Sequence, residues 1–128
     1  MDNQKNFLER RKDKRFKLKD PAFAIMYFSP ARIGQITDIS RSGLAVRYIK
    51  NGEASNDLKE LDICKSDFKF YIDNIKAKTI SDLELIDKTF IGSKEKRRCG
   101  IQFEDLSNNQ IFQLVNFIQN SSLVESLS

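Results

Sequence analysis

From residue 21 onward the chain alternates apolar and other residues with period two, in runs too short for anything but strands. Phe23, Ile25 and Tyr27 interleave with Ala24, Met26 and Phe28, the pattern of a strand with much of both faces covered. Ser29-Pro30 breaks that run, and Ile33 to Ile39 begins another. Ser40-Arg41-Ser42-Gly43 has the composition of a turn, and Leu44, Val46 and Tyr48 then alternate with Ala45 and Arg47. Two runs joined by so short a turn pair as an antiparallel hairpin. After a polar loop at 50–58, alternation returns around Leu61 to Ile63, Phe68 to Ile72 and Ile75 to Ile86. Gly92 to Arg97 reads as a charged turn. Cys99, Ile101 and Phe103 read as the inward face of a last strand, with Arg98, Gln102 and Glu104 opposite.

The period changes once, near the C-terminus. Ser107 and Gln110 stand at the spacing of a capping box, and Leu106 and Ile111 at that of a hydrophobic staple. Ile111, Leu114, Val115 and Ile118 then recur as one apolar helical face. The helix is expected to end near Asn120, with residues 121–128 as a fraying tail. Six or seven short strands and one amphipathic helix predict a mainly β domain, a small antiparallel β-barrel or sandwich whose helix closes a side or an end. A chain of 128 residues suits one such domain.

The residue inventory removes most chemistry. There is no His, which excludes His-based triads, imidazole acid–base catalysis and His metal ligation. Cys64 and Cys99 lack the paired spacing of a zinc site and are expected to be reduced and buried. No carboxylate pair has the spacing of a glycosidase, so no catalytic residue and no metal or other cofactor is expected. No apolar run reaches the length of a membrane span and no signal-peptide pattern opens the chain, so a cytoplasmic location is expected.

The net charge of +4 is uneven. Residues 1–20 hold eight bases and four acids, while the other 108 residues hold 14 of each. The basic character therefore belongs to an N-terminal arm, expected to be flexible, that would attract an anion. Within it, Arg11 and Arg15 are four apart and share a side whether the segment is helical or extended. A second cluster is Asp38-Ile39-Ser40-Arg41-Ser42-Gly43 at the first hairpin. Asp38 and Ser40 are two apart at a strand end and share a face, and Gly43 offers a positive φ for a tight turn. Guanidinium groups fork onto phosphate and onto the O6/N7 edge of guanine, a carboxylate accepts from N1–H and the N2 amino group, and a hydroxyl donates to a phosphate oxygen. Together the two clusters suit a guanine nucleotide.

R-x-x-x-R near the N-terminus followed by D-x-S-x-x-G at a strand-to-strand turn resembles the PilZ domain, a family of bacterial receptors for cyclic di-GMP. Arg97-Arg98-Cys99-Gly100-Ile101-Gln102-Phe103 is similar to the family's later G-[VI]-x-F signature, and the resemblance runs from about Glu9 to about Asn120. It implies a six-stranded antiparallel β-barrel over residues 21–120 with a flanking C-terminal helix, and a cyclic di-GMP site made of Arg10, Arg11, Arg15, Asp38, Ser40, Gly43 and Arg98. Arg10 would be the residue tied to a stacked ligand dimer. It further implies signal transduction through a downstream protein partner by a change in arm conformation. Two alternatives stand beside it: a nucleic-acid-binding β-barrel, and a PilZ-like interaction domain that binds no nucleotide. DNA is not expected as a partner, because residues 21–128 carry no net charge and suggest no second basic patch.

Overall fold

A computed structural model describes residues 13–28, 30–50, 57–67, 69–85 and 95–122. Six strands, β1 (Ala22–Met26), β2 (Arg32–Ile39), β3 (Gly43–Lys50), β4 (Glu60–Lys65), β5 (Tyr71–Glu84) and β6 (Glu95–Phe103), precede one helix, α1 (Asn108–Ser121). All pairings are antiparallel, and the order β1-β2-β3-β6-β5-β4 closes into a barrel. Closure leaves no sheet edge to template aggregation. The mainly β, six-stranded architecture is the expected one, and the β2–β3 hairpin turns at residues 40–42 as its composition requires.

The period-two pattern becomes the wall of the core. Met26, Val46, Leu61, Ile63, Ile72, Ile75, Cys99 and Ile101 all point inward and are fully or nearly fully buried. The alternate residues of β1 point outward, with Phe23 and Ile25 half-buried and Tyr27 exposed. Register shifts interrupt the ladder between Ile36 and Asp38, between Leu61 and Ile63, and between Thr79 and Ser81. Such bulges bend strands and re-aim side chains, and the first of them aims Asp38.

One end of the barrel is closed by α1. The capping box forms as expected: Gln110 N–H donates to the Ser107 hydroxyl, and Ser107 N–H donates to the Gln110 side chain, each at 3.0 Å. The other end of that amide donates to the carbonyls of Asp73 and Asn74 at 2.9 and 3.1 Å, which fixes the helix start against β5. The apolar face is rotated from the expected one. Leu114, Phe117, Ile118 and Ser121 are buried, while Ile111 is exposed and Val115 half-buried. Phe117 causes the rotation, because its ring stacks on Phe70 with centroids 4.7 Å apart and so turns its own side of the helix to the barrel.

The opposite end is closed by a polar plug. Glu95 to Arg97, expected in a turn, instead extend β6, and Arg97 points into the barrel end. Its guanidinium donates to the Asp82 carboxylate at 2.7 Å and to the Asp82 carbonyl at 3.0 Å, and it also pairs with Glu95. Tyr48 donates to the same carboxylate at 2.9 Å and packs on Phe28. Burial, then the Asp82 carboxylate, pushes the Tyr48 hydroxyl well above its ordinary value, and burial pushes the neighbouring Cys99 thiol up to about 11. Both cysteines are free and buried.

Candidate functional site

The second half of the arm is part of the folded body. Phe16 exchanges backbone hydrogen bonds with Ile39 at 2.8 and 3.0 Å, and Lys19 N–H donates to the Ser121 carbonyl at 2.8 Å. Phe16 and Leu18 pack against the core. Residues 16–19 are thus stitched between the end of β2 and the end of α1. In an extended segment the intervening side chains face the other way, and Lys17 and Lys19 are exposed. Arg15 lies on that same outward side, immediately before the stitch.

That geometry brings Arg15 to Asp38. Arg15 Nη1 donates to Asp38 Oδ1 at 3.2 Å, and Arg98 Nη2 donates to Asp38 Oδ2 at 3.4 Å. One carboxylate therefore stands between two guanidinium groups, one on each oxygen. The carboxylate is nearly buried, at 11% side-chain exposure, whereas the two arginines keep 31% and 36%. Each arginine spends one N–H on Asp38 out of five. The remaining donors, with the carboxylate between them, form a donor–acceptor–donor array at the protein surface. Contacts of this length and exposure contribute less than about 1 kcal/mol each, so an incoming ligand can replace them.

Arg98 reaches the site because β6 pairs with β3 on the far side of the hairpin, which sets Arg98 opposite Arg47 and two positions from Gly100. On sequence grounds alone Arg98 reads as a strand surface charge, and only the resemblance places it in the site. Arg10 and Arg11 lie outside the described residues.

Ser40 organises the turn. Its hydroxyl accepts from Ser42 N–H at 3.1 Å and Gly43 N–H at 3.2 Å, and it lies 3.3 Å from the Gly43 carbonyl. Ser40 N–H donates to that carbonyl at 2.8 Å. These bonds hold Asp38 and the turn at a fixed separation. Gly43 is needed for a reason other than the expected one. Its φ is not positive, and a Cβ there would stand 2.2 Å from the Ile101 carbonyl oxygen. Close approach of β3 to β6 excludes a side chain.

Sequence reasoning passed over Arg47, Lys17 and Lys19, exposed cations beside this site. Arg47 lies between Gln35 of β2 and Arg98 of β6 in register. The available signal was parity: Arg47 falls on the outward positions of a strand whose inward positions are Leu44, Val46 and Tyr48.

No family model matches the sequence, and no curated protein does. Solved structures do match. The chain is similar to the PilZ domain with c-di-GMP of YcgR from Escherichia coli, at 17% identity and a TM-score of 0.64, over 87% of this chain and 90% of that one. A crystal structure of YcgR in complex with c-di-GMP from Escherichia coli matches at 18% identity and a TM-score of 0.64, over 87% of this chain and 45% of that one. MrkH, described as a c-di-GMP-dependent transcription regulatory factor, matches at 17% and 0.63, over 87% and 50%. The chain thus spans about half the length of those two longer proteins. It has the fold of a PilZ domain.

Proposed function

We propose that this protein is a non-catalytic receptor for cyclic di-GMP, with Arg15, Asp38 and Arg98 as the described core of its site. The observation that supports this most is the single carboxylate shared by two partly exposed arginines at the bulged end of β2. The similar structures, the PilZ domain of YcgR and YcgR itself, contain c-di-GMP on the same fold.

In this reading a guanine takes the place of one arginine on Asp38. Its N1–H and N2 amino group donate to the carboxylate, and the released guanidinium turns to O6/N7 or to a phosphate oxygen. Two phosphates and two guanines supply enough acceptors for Arg11 and Arg15 together, with Arg10 available to a second, stacked ligand. Ser40 holds the turn and offers its hydroxyl proton to a phosphate if that proton leaves the Gly43 carbonyl. Charge-assisted hydrogen bonds contribute about 1.5–3 kcal/mol each, so three or four reach about −8 kcal/mol, a micromolar Kd, after ordering costs are met.

The anchor at Phe16 locates the movement. Residues 16–19 are tied on both sides, so a ligand-driven change in the arm pivots there and carries Arg15 and the residues before it. The rearranged arm is what a downstream protein reads. Isothermal calorimetry with cyclic di-GMP, linear pGpG and GTP tests the proposal. Saturable heat with the cyclic dinucleotide at a fixed stoichiometry of one or two, lost in Arg15→Ala, is the expected result. Equal binding of all three nucleotides, or none, contradicts it.

A further inference from the structure

The sum of charges over residues 21–128 is zero, but the sum hides a face. Between the arm and the barrel wall runs a groove of about 500 Å³ whose lining includes Lys17, Lys19, Arg47, Gln35 and Thr37. Its cations are Lys17 and Lys19 from the stitched half of the arm and Arg47 from β3, and one acid, Asp20, lines it with them. None of the three cations makes a side-chain hydrogen bond or an ion pair among the described residues, and all three are exposed. This differs from the neighbouring Arg15 and Arg98, which share Asp38. The arm alone does not create the patch and neither does the barrel. Phe16 and Leu18, pinned to Ile39 and Ser122, bring the two lysines beside Arg47.

We infer that this groove is a second anion site, one that takes the phosphate backbone of a nucleic-acid strand. Lys17 and Lys19 are two residues apart on an extended segment, so their Cα atoms are separated by about 6.6 Å along it. Successive charges along a groove suit a polymer of phosphates better than a single small anion. A concave lining suits a strand better than a flat bilayer surface. No aromatic side chain lines it, so bases have nothing to stack on and the readout is of backbone alone, independent of sequence. The expectation against nucleic acid rested on the lack of a second basic patch, and the fold assembles one by setting Arg47 beside lysines 28 and 30 positions earlier in the sequence. This inference does not depend on the dinucleotide reading, because the groove cations are not those on Asp38.

Fluorescence anisotropy with a labelled 20-nucleotide oligothymidylate, titrated across salt concentrations, tests it. The full chain is compared with the triple variant Lys17→Ala/Lys19→Ala/Arg47→Ala, with circular dichroism to show that the variant folds. The expected result is an affinity loss of tenfold or more at low salt. The slope of log K on log salt becomes shallower by about 2, the value for three phosphate contacts on a single strand. Unchanged affinity and slope in the triple variant overturn the inference, as does binding to vesicles containing phosphatidylserine with none to the oligonucleotide. Loss of oligonucleotide binding in Arg15→Ala together with full displacement by cyclic di-GMP overturns it too, since the two sites would then be one. Normal cyclic di-GMP binding with no oligonucleotide binding defeats this inference and leaves the receptor reading intact.

Discussion

Arg97 and Arg98 are neighbours on one strand, and each meets an aspartate from another part of the barrel. Arg97 points inward to Asp82, with contacts of 2.7 and 3.0 Å and a side chain only 16% exposed. Arg98 points outward to Asp38 at 3.4 Å and keeps 36% exposure. Tyr48 and Glu95 complete the inner cluster, whereas the outer carboxylate is shared with Arg15 and no other described residue accepts from the two guanidinium groups. The alternation of a strand thus assigns two adjacent arginines opposite tasks. The inner cluster, with short contacts and a more enclosed arginine, closes one end of the barrel. The long, half-exposed one holds charge that a ligand can take over.

The largest expected effect falls on the inner cluster. Arg97→Ala removes the short charge-assisted contacts to Asp82 and leaves that carboxylate with Tyr48 alone among the described residues, which costs about 1.5–3 kcal/mol. For a domain of this size that lowers Tm by roughly 5–10 °C, while cyclic di-GMP affinity measured well below the transition changes only a few-fold. A melting curve like the wild type's would show that the plug is not structural and would dissolve the comparison. Asp38→Ala reverses the pattern. Cyclic di-GMP affinity falls by about 100-fold or more in calorimetry, since the carboxylate shared by the two arginines is gone, and Tm moves by no more than about 2 °C.

Two smaller effects sharpen the contrast. Arg98→Ala removes one of several charge-assisted donors, so affinity falls about tenfold with no change in stability. An unchanged Kd would assign Arg98 to the surface. On the inner side, burial raises the pKa of both Cys99 and Tyr48. The unfolded thiol loses its proton first, so the folded state binds more protons above pH 9. Stability is therefore full at neutral pH and declines as pH rises from about 9 through about 11. The contribution of Cys99 is on the order of 1 kcal/mol, and a plot of Tm against pH from 8 to 10.5 should be shallower in Cys99→Ala than in the wild type. Equal slopes would remove the thiol from the inner cluster's titration.

These residues also show what a sequence exposes and what it conceals. The strands, the hairpin and the capping box are local patterns, and they appear where periodicity and spacing place them. The helix face is rotated because Phe117 answers to Phe70, a residue 47 positions away. Glu95 to Arg97 look like a turn because three charges in a row are costly in a strand, unless a distant carboxylate neutralises the inward one. Asp82 does so, and no local signal announces it. The outer site is legible in its types, with Arg15 and Asp38 each in a short motif. Its third member is not: Arg98 and Asp38 are 60 positions apart, and their meeting depends on the register of β3 on β6. The cationic groove was hidden by adding charges along the chain instead of across the surface.

The location of the ligand decides the account. In a ¹H–¹⁵N correlation spectrum titrated with cyclic di-GMP, the account requires the largest amide shifts at Arg15, Asp38 to Gly43, and Arg98, with little change at Tyr27, Asp62 and Tyr71, a cluster on the opposite wall in which both tyrosines donate to the Asp62 carboxylate of β4. Shifts centred on that opposite wall, or spread evenly with none at Asp38, would contradict it.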